Sequence, residues 1–199
     1  MVGLTGSMGS GKSCVAGMLR ELGAHIIDAD RICFDLVQPE KPAWQEIVEF
    51  FGKEILQEDG TIDRSKLAKI VFDSLDKKQA LEKILHPKVF IEEQRLYEEI
   101  LAKESNALVV VEAPLLIESG NYRNMDKVVL VSCDEETQIQ RLLKRNIWSR
   151  DDIIKRLRCQ MSFEEKSKVA NYLLPNDASI EDLKKHVKTL YSELYSAVR

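Results

Sequence analysis

The stretch Gly6-Ser7-Met8-Gly9-Ser10-Gly11-Lys12-Ser13 decides the reading of this chain. It fits the phosphate-loop pattern GxxxxGK[ST] in full. Apolar residues 2–5 precede it as a short strand, and a helical run over 12–22, ended by Gly23, follows it. Glycines at 6, 9 and 11 permit a backbone that a side chain would obstruct. The loop N–H groups can then converge on phosphate oxygens, and the helix beginning near Lys12 adds the positive end of its dipole. Lys12 reaches the β- and γ-phosphates as a point charge, and Ser13 offers its hydroxyl to Mg²⁺. Gly9, Ser10, Gly11, Lys12, Ser13 and Cys14 are therefore the expected seat of a nucleoside triphosphate, with Ser13 as the metal ligand.

Moving outward, the next informative stretch is Ile26-Ile27-Asp28-Ala29-Asp30. It emerges at the carboxyl end of a second strand, 24–28, and ligands of open α/β sheets bind at that edge. Asp28 or Asp30 could cap the helix that follows, and Asp28 is divided between that role and chemistry. Asp30 is the candidate general base for an attacking hydroxyl. No Asp has Gly three positions on, and neither an Asn-Lys-x-Asp guanine motif nor an LSGGQ-like signature is present. Those absences turn the reading from a GTPase or a transporter ATPase toward a small-molecule kinase.

The rest of the chain alternates. Further strands are expected at 107–112, 127–132 and 172–174, and helices at 44–51, 65–74, 134–145, 151–161 and 179–198. A long helical region, 76–103, contains Pro87, so a break is expected near His86. Apolar strands alternating with helices imply an α/β fold with a parallel sheet covered on both faces. The strandless region from 39 onward reads as a helical insertion at one edge.

The composition agrees. The 199 residues are 44% hydrophobic and 31% charged, with a net charge of −4, which excludes a disordered or fibrous chain. That charge does not suggest nucleic acid. Nine basic residues against four acids between 138 and 168 form a local patch suited to a small polyanion. The most apolar run, 107–117, contains Glu112 and Pro114 and falls short of the roughly 20 residues of a membrane span. With no secretory leader legible and cysteines at 14, 33, 133 and 159 matching neither a zinc site nor a CxxC pair, reduced thiols in a cytoplasmic protein are expected.

Further motifs run nearly end to end. They are Gly3-Leu4-Thr5-Gly6 leading into the loop, Leu22-Gly23, Ile27-Asp28-Ala29-Asp30, Phe51-Gly52, Asp59-Gly60 and Leu85-His86-Pro87. Pro114-Leu115-Leu116-Ile117-Glu118, Gln138-x-x-Arg141-x-x-x-Arg145 and Arg156-x-x-x-Gln160 complete the series. In this order and spacing the chain resembles the dephospho-CoA kinases, P-loop kinases related to the nucleoside monophosphate kinases. The resemblance implies transfer of the γ-phosphoryl group of ATP to the ribose 3′-hydroxyl of dephospho-CoA, with Mg²⁺, as the last step of coenzyme A synthesis. It implies a three-layer fold with a five-stranded parallel core (1–38, 105–137 and 170–199), a helical CoA-binding domain (39–104) and a lid (138–169). It implies Asp30, Lys12 and Arg141 as catalytic residues, and Thr5, Asp30, His86, Pro114, Leu115 and Arg145 on the substrate side. The partners are then small molecules, with neither nucleic acid nor membrane, and the protein is a monomer or small homo-oligomer.

The residues support this on their own terms. Arg141 and Arg145 are four apart on one helix face, where two guanidiniums can hold phosphate oxygens. Arg156 and Gln160 share a face and either touch ligand or brace the lid. His86 serves a substrate group or the helix it interrupts. Glu112 departs from the family pattern and either assists Mg²⁺ through water or shapes its loop. Pro175, in the adenine-side stretch, is a second departure. Two other readings stand beside this one: a P-loop kinase for another acceptor, and a nucleotide-dependent binding protein.

Overall fold

The computed structural model describes residues 1–198. The apolar runs become five strands: β1 (Val2–Thr5), β2 (His25–Asp28), β3 (Val109–Glu112), β4 (Lys127–Ser132) and β5 (Tyr172–Pro175). They form one sheet in the order β2-β3-β1-β4-β5. β1 pairs in parallel with β3 and β4, placing Val2 beside Val110 on one side and Lys127 on the other, and β4 pairs in parallel with β5. The expected five-stranded parallel core is present.

Two compact units emerge, one comprising Met1–Ile27 with the chain from Tyr97 onward, the other Asp28–Leu96. In the first, α1 (Lys12–Glu21) and α9 (Ile180–Val198) pack on the sheet. Val15 and Leu19 of α1 meet Leu183, Val187, Leu190 and Leu194 of α9 in a cluster with Leu4, Val110, Val129 and Leu174. The α9 positions recur at helical spacing, so one stripe is buried. Each fully buried Leu or Val contributes about 1.5–3 kcal/mol. A smaller cluster joins α6 (Glu135–Leu143) to α7 (Arg150–Arg158) through Ile139, Leu142 and Ile153, with Met8, Trp148 and Leu157 against it. The short helix α8 (Phe163–Ser167), which the sequence reading did not single out, follows with a complete Ser162–Glu165 capping box.

The second unit is helical. It contains α2 (Ala29–Leu36), α3 (Pro42–Phe51), α4 (Arg64–Phe72) and most of α5 (Leu75–Lys103). Ile47, Phe51, Ile55, Ile62 and Leu67 form its core. The Asp59-Gly60 turn closes an isolated bridge between Leu56 and Ile62, and Trp44 donates its indole N–H to the Gly60 carbonyl at 2.9 Å.

The break expected near His86 does not occur: α5 is one helix running through Pro87. A proline inside a helix removes a hydrogen bond and crowds the preceding turn, at a cost of about 3 kcal/mol. Leu81, Ile84 and Leu85 before it pack on the Ile47 cluster, and Val89 after it is buried. Burial on both sides holds the helix through the defect. Among the described residues no helix is long and apolar enough to cross a membrane, and all four cysteines are free.

Candidate active site

The phosphate loop leaves the C-terminal end of β1, the central strand, and enters α1. Gly11 is the N-cap of α1 at φ 99°, and no acid stands in the first turn, so the positive end of the helix is unopposed. Gly11 has a second constraint. A Cβ there would collide with the side-chain nitrogen of Asn176, which donates to the Ser10 carbonyl at 2.7 Å from the loop after β5. Gly9, at φ 82°, lies against the backbone of Gln138 in α6. The loop is thus shaped from below by two segments distant in sequence.

Lys12 folds along the loop, its ammonium donating to Gly6 O at 2.8 Å and Ser7 O at 3.3 Å. Ser13, exposed in the first turn of α1, donates its hydroxyl to Glu112 Oε1 at 2.7 Å. β1–β3 pairing sets Glu112 opposite Leu4, which brings this carboxylate to the loop. A hydroxyl and a carboxylate in contact are hard oxygen donors suited to Mg²⁺, which binds through one or two such groups, several waters and substrate phosphates. Among the described residues no cluster of three or more His, Cys, Asp or Glu forms a metal cage. Cys14, next along α1, is exposed. Thr5 is fully buried, its hydroxyl donating to Pro114 O at 3.4 Å. Leu115, beside Pro114, is 44% exposed.

Of the paired arginines, Arg141 lies beneath the loop, donating to Asn176 O at 2.9 Å and to Ser10 O at 3.4 Å. Arg145 lies past the end of α6 and is exposed. Arg156 stacks over Trp148, 4.6 Å from the ring centroid. Gln160 accepts the backbone N–H of Met8 at 2.9 Å and so braces the loop. Thr5, the loop, Glu112, Pro114 and Arg141 all converge within the first unit.

Asp30 and His86 belong to the helical unit. Asp28 caps α2, accepting from Arg31 N at 2.9 Å, and Asp30 is exposed in the first turn of that helix. Burial and the negative charge of Asp30 push the Cys33 thiol up, against the pull of Arg64. His86 is half-buried and stacked on Phe90, with centroids 5.9 Å apart. Burial holds its pKa below the usual imidazole range, against an upward pull from Glu82. The same unit contains a cavity of about 440 Å³ whose lining includes Phe34, Gln38, Gln57, Thr61, Ile62 and Arg64. The Arg64 guanidinium lies over the Phe34 ring, 4.4 Å from its centroid.

Sequence reasoning left the contacts of Asn176 open and counted Lys166 only within the basic patch. Lys166 is fully buried and ion-paired to Glu118 at 2.7 Å. Asn176 stood in the stretch made uncertain by Pro175, yet a polar residue just past a strand end was the available signal.

A phosphate loop at the end of a central parallel strand, a hydroxyl–carboxylate pair beside it and no guanine motif place the molecule among the P-loop kinases. The sequence matches the family model described as dephospho-CoA kinase over residues 1–182. The dephospho-CoA kinase of Aquifex aeolicus is 42% identical over 193 residues, covering 97% of this chain and 96% of the relative. A crystal structure of a Thermus thermophilus protein aligns with a TM-score of 0.81 at 35% identity, covering 97% of this chain and 96% of the other. A dephospho-CoA kinase structure from Campylobacter jejuni aligns with a TM-score of 0.71 at 28% identity, covering 100% and 98%. The chain belongs to the dephospho-CoA kinase family, whose reaction is the ATP-dependent final step of coenzyme A biosynthesis.

Proposed function

We propose that the chain transfers the γ-phosphoryl group of ATP to the ribose 3′-hydroxyl of dephospho-CoA, giving coenzyme A and ADP. The observation that carries this is a complete phosphate loop within a family match spanning residues 1–182. Phosphoryl transfer is mostly placement and charge compensation. Gly9 to Cys14 seat the triphosphate, and Lys12 and the α1 dipole neutralise its β/γ oxygens. Ser13, its hydroxyl oriented by Glu112 at 2.7 Å, would hold Mg²⁺, which would supply further neutralisation of the phosphate charge. Asp30 accepts the hydroxyl proton as the 3′-oxygen bonds to the γ-phosphorus and the bond to the ADP oxygen breaks. Closure of the lid region excludes water and brings Arg145 over the transferring group. Arg141 joins it by exchanging its carbonyl partners on Ser10 and Asn176.

The cavity at Phe34, Gln57 and Arg64 suits the rest of the acceptor: an apolar wall and side-chain amides match a pantetheine arm, and an arginine matches its diphosphate. Thr5, His86, Pro114 and Leu115 complete the acceptor-side assignment. We further assign the protein to the cytoplasm as a monomer or small homo-oligomer, with small molecules as its partners and neither nucleic acid nor membrane among them.

The test is ADP release from ATP and Mg²⁺ with dephospho-CoA, adenosine, AMP, CMP or gluconate as acceptor. Strong stimulation by dephospho-CoA, and little by the armless acceptors, is expected. Preference for another acceptor keeps the kinase and discards this substrate; no stimulation by any acceptor favours a nucleotide-dependent binding protein. Asp30→Asn is expected to lower kcat by about 100-fold or more with the fold intact. Near-normal turnover would remove Asp30 as the base.

A further inference from the structure

Lys166 is one of the largest fully buried side chains of the molecule, and it carries a charge. Taking an ammonium group and its partner out of water costs several kcal/mol per ion, and apolar side chains of the same volume are commonly as stabilising. Stability alone is therefore a poor account of this lysine.

Its contacts suggest another. The ammonium pairs with Glu118 Oε1 at 2.7 Å and donates to Pro114 O at 3.5 Å. Glu118 Oε1 also accepts the backbone N–H of Met161 at 3.3 Å, while Thr5 donates to the same Pro114 carbonyl. Glu118 Oε2 is buried and has no hydrogen-bond partner among the described residues. Six residues before Lys166, Gln160 receives the Met8 N–H of the phosphate loop at 2.9 Å. The capped helix α8 makes the intervening segment stiff. One short stretch at the end of the lid region thus grips the nucleotide loop at one point and the Pro114–Glu118 turn at two others.

We propose that Lys166 and Glu118 are positioning residues that hold the Pro114–Leu115 turn in register with the phosphate loop, so that capture and alignment of the acceptor hydroxyl depend on the pair. The inference rests on the acceptor-side assignment of Pro114 and Leu115. An ion pair suits this role better than an apolar contact because its two hydrogen-bonded heads fix direction as well as distance.

The experiment compares the wild type with Lys166→Met, Glu118→Gln and the double variant Lys166→Met/Glu118→Met. Steady-state constants for dephospho-CoA, ATP affinity by direct titration and Tm are measured for each. Lys166→Met, which strands a largely buried carboxylate, is expected to lose both Tm and activity. The double variant is expected to regain Tm to within about 4 °C of wild type. Its kcat/KM for dephospho-CoA is expected to stay about tenfold or more below wild type, with ATP affinity within about twofold. Recovery of both Tm and kcat/KM would make the pair structural only and overturn the proposal. Should the double variant not fold, Glu118→Gln decides: it keeps the shape, and an unchanged KM and kcat for dephospho-CoA overturns the role. Wild-type turnover of dephospho-CoA is the control that separates the two failures. An inactive wild type removes the acceptor reading and the pair's role with it; an active wild type with indifferent variants removes only the pair.

Discussion

At Gly11 two requirements meet: a positive φ that L side chains rarely adopt, and the side chain of Asn176 where a Cβ would project. Gly11→Ala is expected to cost about 1–3 kcal/mol in strain. It should also weaken ATP binding by about tenfold or more, because the amide groups that follow must reorient. Nucleotide titration checks this, and unchanged affinity would show that the loop tolerates the shift. Glu112 is a second case. Its 2.7 Å bond to Ser13 fixes the hydroxyl expected to face the cation. Glu112→Gln should raise the Mg²⁺ concentration for half-maximal rate by about tenfold, the usual effect of losing an outer-shell partner. A Mg²⁺ curve superimposable on wild type would confine Glu112 to loop structure. These residues were unequally legible. The phosphate loop announces itself because glycine spacing encodes backbone shape locally. Asn176 does not, because its contact with Ser10 spans 166 positions and no local pattern records it. Glu112 stood out as a departure, and strand pairing supplied its partner.

Among the elements, α2 shows how a small device can serve a larger one. Its N-cap is Asp28, whose carboxylate accepts from Arg31 N, and its first turn contains Asp30. Asp28→Ala is expected to cost about 1 kcal/mol of stability. Turnover should fall as well, because the turn bearing the proposed base frays. A variant that loses Tm yet keeps kcat would separate cap from base. The sequence reading offered Asp28 as a possible cap of the helix that follows, and α2 is that helix. In α5 the same kind of local reading failed. Pro87 is a strong local signal for a break, and tertiary packing of Leu81, Ile84, Leu85 and Val89 overrode it. Local rules weigh only what lies within a turn or two.

For the molecule as a whole, His86 links stability to pH. Burial lowers its pKa in the folded chain, so the unfolded chain binds the proton more readily. The stabilisation is complete above the unfolded value of about 6.5 and is lost as pH falls through the lower folded value. The wild-type urea midpoint should therefore drop more between pH 7.5 and 5.5 than that of His86→Gln. Parallel drops would mean that other groups dominate that window. Fold class was legible here because both-face burial writes itself as unbroken apolar runs. Strand order was not, because periodicity says what a strand buries and nothing about its neighbours.

That order has a consequence for how the protein is made. β1 is made before the other four strands, yet its partners begin at Val109 and Lys127. At about 5–20 residues per second, many seconds of synthesis pass before the nucleotide loop has a strand on each side. Throughout that interval ATP has no assembled cradle to stabilise, and the strand that carries the loop lacks at least one of its two neighbours. A nascent chain stalled before β4 would expose the central strand along one edge, open to mispairing with another copy. Translation speed between β3 and β4 therefore bears on the yield of folded enzyme, although no residue in that interval belongs to the phosphate loop.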